Sequence, residues 1–224
     1  MGRAPRVDLA GYIYHVINRA NGRREIFHTD NDYSAFEQIM QEAKDRVNID
    51  IYSYCIMPNH WHLVLSPKQD GDLSKFTGWL TLTHTQRRHA FQHSVGEGHI
   101  YQGRYKSFLV SPDEYFLQLV RYVEQNPLRA KLVNKSQQWR WSSLWLRAYG
   151  DPDKKKLLSP WPIDKPSNYL EWVNQLPNEE EINPIRQSVN RSSPLGKSSW
   201  VKDTIKKFGL ESTLRKQGRP KNGP

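Results

Sequence analysis

Cysteine is almost absent: Cys55 is the single one in 224 residues. That excludes an internal disulfide. Cys55 lies in a strand-like apolar run, where a small buried hydrophobe is the expected role, and a reducing cytoplasm fits. Long hydrophobic runs are also missing. No stretch approaches the ~18 apolar residues a membrane span needs, so no membrane partner is expected. The opening "MGRAPRVDLAGYIYHVINRA" shows no apolar h-region followed by a cleavage site, so no secretory signal is expected either. The third scarcity is local. Residues 186–224 hold two acidic side chains against ten Lys/Arg, whereas residues 1–185 carry 21 acidic and 23 basic ones. Of the net +10, +8 therefore sits at the C-terminal end. A polyanion is the partner such a segment fits, and nucleic acid is the usual one.

Apolar content of 37% and charged content of 25% describe a globular chain. "YIYHVINRA" (12–20) alternates and predicts a strand. "DNDYSAFEQIMQEAKDRV" opens on cap residues and repeats Phe36, Ile39, Met40 and Ala43 at helical spacing. "IDIYSYCIM" and "PNHWHLVLS" predict two strands joined by a Pro-Asn turn. "LSKFTGWLTLTHTQRRHAFQH" predicts a second helix, and "SFLVS" follows a Gly-rich loop as a fourth strand. "SPDEYFLQLVRYVEQNPLRAKLV" predicts a third helix with Ser111 at the cap, Pro112 at the first helical position and Glu114 closing a capping box. The order β-α-β-β-α-β-α begins with the ferredoxin-like pattern: an α+β fold, one antiparallel sheet with helices on one face.

Residues 1–150 are expected to form the main domain, 151–185 a connecting segment and 186–224 a basic extension. Helices are expected near 167–175 and 198–208, with an acidic patch at Glu179–Glu181 between them. "LRKQGRPKNGP" is expected to be disordered when unbound.

Chemistry concentrates in two places. In "CIMPNHWHLVL", strand alternation puts His60 and His62 on one face and Trp61, Leu63 and Leu65 on the other. Two imidazoles ~7 Å apart on one face can converge on one ion. In "RYVEQNPLRA", Tyr122 and Asn126 are four apart and share a helical face. Asn offers an amide oxygen to a hard cation and Tyr a phenolic oxygen for nucleophilic attack. Taken alone, the first pattern is more often a satisfied histidine pair, and the second fits better an amphipathic helix that ends at Asn-Pro.

Together these blocks carry a resemblance. "MPNHWHLVL" resembles the HUH signature of the single-tyrosine transposases, and "RYVEQNPLRA" is similar to the Tyr-x-x-x-Asn-Pro block of their REP-associated branch. "YHVINRANGRREIF", "YQGRYKSFLV" and "WRWSSLWLRAYG" resemble other blocks of that family in the same order, over about residues 8–150, and the tail resembles the C-terminal extension of some members.

The resemblance implies a single-stranded DNA endonuclease and strand transferase. Tyr122 would be the nucleophile, leaving a 5′-phosphotyrosine and a free 3′-OH. His60 and His62 would hold Mg²⁺ or Mn²⁺, with Asn126 as third ligand. The substrate would be REP-type hairpin DNA, the protein a monomer or homodimer, and the location cytoplasmic, at the nucleoid. Trp61 departs from the usual aliphatic residue between the histidines and is expected to face the core. Tyr115, two turns before Tyr122, has Leu119 rather than Asn four residues on, which favours Tyr122.

DNA contacts are expected from Arg19, Arg23 and Arg24 after the first strand, and from Arg87 and Arg88 on the second helix. Tyr101, Arg104, Tyr105 and Lys106 interleave aromatic and basic groups in the Gly-rich loop, a composition that suits base stacking, although the tyrosines equally fit packing onto the sheet. In the tail, Arg215, Lys216, Arg219 and Lys221 surround a Gly-Arg-Pro of the kind that enters a narrow minor groove. The alternative is a non-catalytic nucleic-acid binder on a ferredoxin-like fold. Such a binder has no need of His60, His62, Tyr122 and Asn126 together.

Overall fold

The computed structural model describes residues 6–94, 96 and 98–214. Four strands, β1 (Ile13–Arg19), β2 (Ile49–Met57), β3 (His60–Pro67) and β4 (Lys106–Val110), form one sheet in the order β2-β3-β1-β4, antiparallel throughout. Helix α1 (Asp30–Arg46) links β1 to β2, and α2 (Asp72–Gln92) links β3 to β4. This is the ferredoxin-like arrangement. Thr29 caps α1 in a capping box with Asp32, which satisfies donors the first turn leaves open.

The strands alternate between two apolar layers. Tyr14, Val16, Tyr54, Ile56, Trp61, Leu63 and Leu65 meet Phe36, Ile39 and Met40 of α1 and Leu73, Phe76 and Leu80 of α2. Trp61 is fully buried there, as expected, and its indole N–H donates to the Tyr101 hydroxyl at 3.0 Å. The opposite face carries Ile13, Cys55, Val64 and Phe108, and is covered by Phe116, Leu119, Val120 and Val123 of α3 (Glu114–Glu124). The first two helices thus share one face, and the seventh element lies on the other.

Helix α3 starts two residues later than its sequence predicts. Asp113 is the cap and accepts from the Tyr115 N–H at 3.0 Å. Ser111 is occupied elsewhere: its N–H donates to the Leu195 carbonyl, prolonging the β4 edge. The helix ends at Glu124, and a short α4 (Asn126–Arg129) follows after Gln125. Beyond lie α5 (Ser143–Tyr149), α6 (Pro152–Lys155), α7 (Tyr169–Asn174), α8 (Glu179–Arg191) and α9 (Ser198–Phe208).

The segment after residue 178 is built into the fold. The acidic patch is the first turn of α8, where negative charge suits the helix dipole. Ile185 of α8 joins the α3 layer. Leu195 then bridges Val110 in parallel and covers the open edge of β4. Gly196 is required at this crossing, because a Cβ there would lie 2.5 Å from the Trp200 ring and 2.9 Å from Ser111 Cβ. Ile205 and Leu210 finish in the layer beneath α1 and α2. A boundary at 185/186 therefore cuts through α8. Of the tail residues proposed to touch DNA, Arg215, Lys216, Arg219 and Lys221 lie outside the described residues.

Candidate active site

The site forms at the end of the sheet where β1 and β2 finish and β3 and β4 begin. Pairing aligns Met57, His60 and Arg19 in one row across the strands, and Cys55, His62, Ile17 and Lys106 in the next. These side chains point toward the α3 face. The rings of His60 and His62 lie 4.9 Å apart at 75°. The last turn of α3 brings Tyr122 against them, its ring edge-on to His62 at 6.1 Å and 83°. Tyr115, on the same helix, packs against the apolar layer and makes no ring contact with either histidine.

Both histidines are held neutral. Burial lowers the His60 pKa to about 3, and the Arg19 and Arg129 charges push it the same way. Burial also drives His62 well below its ordinary value, helped by His60 and His15. Each ring is oriented through Nδ1: His60 to Asn59 Oδ1 at 2.6 Å, His62 to His15 Nε2 at 2.8 Å. Among the described residues neither Nε2 makes a hydrogen bond. Two neutral imidazoles with Nε2 available fit a divalent cation. Among the described residues no three His, Cys, Asp or Glu side chains are placed to hold one ion together, so further ligands would be oxygens of other kinds.

Asn126, at the start of α4, carries such an oxygen. Its amide nitrogen donates to the Tyr122 and Val123 carbonyls at 3.2 and 3.1 Å, capping the helix end. Its Oδ1 accepts from Arg129 at 2.8 Å and keeps a second lone pair. Arg129 was not singled out in the sequence, yet its guanidinium sits 3.9 Å over the Tyr122 ring and bonds the Tyr122 carbonyl. The signal was available: Arg129 is seven residues, two helical turns, from Tyr122 in the same block.

The expected DNA contacts divide into two groups. Arg23 and Arg24 are exposed on a loop tied to the turn that enters β3, through Asn59 Nδ2 to the Arg23 carbonyl at 3.1 Å and Ile26 N–H to the Pro58 carbonyl at 2.8 Å. With half-buried Arg19 and exposed Arg104 and Lys106, they ring the histidine end of the sheet. The others already have partners within the protein, the tyrosines in the core, Arg88 half-buried and Arg87 exposed in a surface ion pair. Tyr101 is buried, between Trp61 and Nδ1 of His84 at 2.7 Å. Tyr105 is buried beneath Arg6 and bonded to Ser74. These tyrosines are core residues and have no free face for a base. Arg87 is held by both oxygens of Glu42, at 3.0 and 2.6 Å, and Arg88 by the Ile26 carbonyl.

Behind Tyr122 lies Glu124, also missed in the sequence. It is fully buried and accepts from Ser143 Oγ and the Tyr169 hydroxyl, both at 2.6 Å. Burial raises its pKa, against the pull of those two hydroxyls. The Ser of "WSS" thus anchors α3 to β2 through a buried carboxyl. Glu124→Ala should cost on the order of 3 kcal/mol in urea unfolding, since the Tyr169 hydroxyl loses its acceptor and the Ser53–Ser143 pair loses one of its partners. Glu124→Gln should cost little at neutral pH. Because the folded carboxyl binds its proton more tightly than the unfolded one, the wild type should lose stability relative to Gln as pH rises from the ordinary Glu range through the raised folded value.

A sheet that sets two histidines against a tyrosine on a helix has the fold of the HUH transposases. The chain belongs to the IS200-like transposases: the family model "Transposase IS200 like" matches residues 9–126. A transposase is an enzyme that acts on DNA. Among solved structures, the chain is similar to a REP-associated tyrosine transposase bound to a REP hairpin, with 18% identity, a TM-score of 0.54, and coverage of 74% of this chain and 93% of that one. A putative transposase from Deinococcus radiodurans is 21% identical at a TM-score of 0.40, over 56% of this chain and 95% of that one. No curated protein matches the chain. No helix among the described residues is long and apolar enough to cross a membrane.

Proposed function

We propose that the protein cleaves and rejoins single-stranded DNA at REP-type hairpins through a covalent bond to Tyr122. The observation that carries this reading is the edge-on contact of Tyr122 with His62. The phenolic oxygen of Tyr122 attacks phosphorus, the P–O3′ bond breaks, and the departing oxygen takes a proton to become the 3′-OH. The 5′ side stays linked as phosphotyrosine. The same 3′-OH, or another brought to its place, reverses the step without ATP.

His60 and His62 would hold Mg²⁺ or Mn²⁺, with the second lone pair of Asn126 Oδ1 as a third donor. Bound there, the ion supplies Lewis-acid polarisation of a phosphate oxygen. Arg129 lies over the Tyr122 ring and bonds the Tyr122 carbonyl, which holds the ring in place beside His62. Arg19, Arg23, Arg24, Arg104 and Lys106 bind phosphates around the site. The hairpin-bound relative of the same fold supports the hairpin as substrate.

The metal part has its own test. His60→Ala and His62→Ala should each abolish cutting of end-labelled hairpin oligonucleotides in Mg²⁺ and Mn²⁺, and EDTA should do the same to the wild type. Hairpin affinity should change less than threefold or so, because the phosphate contacts are other residues. Full cutting in EDTA would make the pair structural.

A further inference from the structure

We propose that His15 is a positioning residue for His62: it accepts the Nδ1 hydrogen of His62 and so leaves the Nε2 lone pair facing the site. The inference rests on the reading of His60 and His62 as metal holders. His15 is in the middle of β1, fully buried, on the same sheet face as both histidines. Its Nε2 is 2.8 Å from His62 Nδ1, with ring centroids 5.1 Å apart. Phe108 closes its other side at 4.8 Å.

The bond between the two rings carries one hydrogen, and which ring supplies it decides what His62 can do. If His15 donates, neutral His62 has its hydrogen on Nε2, where it can give a hydrogen bond but cannot bind a cation. If His62 donates, its Nε2 lone pair is free. His15 must then carry its own hydrogen on Nδ1. That atom is buried and without a partner. In either arrangement this atom stays unpaired, as an N–H when His62 donates and as a lone pair when His15 donates. A cation at His62 Nε2 selects the second arrangement, in which His62 donates and His15 accepts. Partners of this kind orient metal-bound imidazoles and raise their basicity.

The test is Mn²⁺ binding to the full chain, read as free Mn²⁺ by electron paramagnetic resonance, with the ¹⁵N shifts of His62 recorded with and without Mg²⁺. Wild type should bind, and His60→Ala should not. His15→Phe, which keeps the ring volume, should weaken binding by about 10–100-fold at unchanged hairpin affinity. His15→Gln, whose amide oxygen accepts the same hydrogen, should restore most of it. In Mg²⁺ the hydrogen of His62 should be on Nδ1. His15→Phe binding Mn²⁺ like wild type, while His60→Ala does not, would overturn this inference and leave the metal reading standing. A wild type that takes up no Mn²⁺ would overturn both. Should the Phe variant fail to fold, the wild-type shifts decide: a His62 hydrogen on Nε2 in the Mg²⁺-loaded protein refutes the role.

Discussion

Tyr122→Phe should yield a folded protein that binds hairpin DNA and neither cuts it nor links to it. The substitution removes one oxygen. The ring that meets His62 edge-on and lies under Arg129 stays in place, so packing changes little. The fall in cleavage should be on the order of 10³-fold or more, as expected when an attacking group is lost. The readout is a denaturing gel of end-labelled hairpin in Mn²⁺: the wild type gives a shortened strand and a protein–DNA adduct, the variant neither. Cutting without an adduct would replace the tyrosine mechanism by direct attack of water. Tyr115→Phe is the matched control and should stay active. Tyr115 is seven residues earlier, held in the apolar layer away from the histidines. An inactive Tyr115 variant beside an active Tyr122 variant would transfer the role.

Why this tyrosine was legible in the sequence, and its neighbours were not, has a physical basis. Strands and helices have fixed periods, so His60 and His62 had to share a face, and so did Tyr122 and Asn126. The strands of the sheet fall within two residues of their predicted ends for the same reason. Contacts between distant segments leave no such mark. His15 reads as one polar residue in an apolar strand until β1 pairs with β3. Tyr101 and Tyr105 read as a stacking surface until the loop folds them against Trp61 and Ser74. Charge misled in a similar way. The basic excess after residue 185 marks a likeness to a free arm, but Leu195, Ile205 and Leu210 are spaced through that same region and are buried. A few apolar anchors among many lysines are enough to build a segment into a core.

Deleting residues 186–224 should therefore destroy the fold rather than trim a DNA arm. The cut removes the last turns of α8, the Leu195 pairing that covers β4, and all of α9. Leu195, Ile205 and Leu210 are each at most 5% exposed. Burial of one such side chain contributes about 1.5–3 kcal/mol, so three approach the whole stability of a typical domain, about 5–15 kcal/mol. The layers beneath α1 and α2 and beneath α3 would both be opened. Thermal unfolding should show a loss of the cooperative transition or a fall in Tm of more than about 10 °C. Cutting at ordinary deletion-mutant temperatures would be lost with it, for a reason unrelated to DNA contact. The informative truncation ends at Leu214. It removes Arg215, Lys216, Arg219 and Lys221 and none of the buried anchors. Its Tm should match the full chain, and it should cut at saturating DNA. If these four charges meet phosphates, hairpin binding should weaken and the slope of log Kd against log salt should flatten by up to about 3. Arg219→Ala alone should show a smaller part of that change, mostly on hairpins with an A·T-rich stem. A chain ending at Leu214 that binds as tightly as the full one across the salt series would remove the tail from the DNA interface and leave the affinity to Arg19, Arg23, Arg24, Arg104 and Lys106 at the mouth of the site.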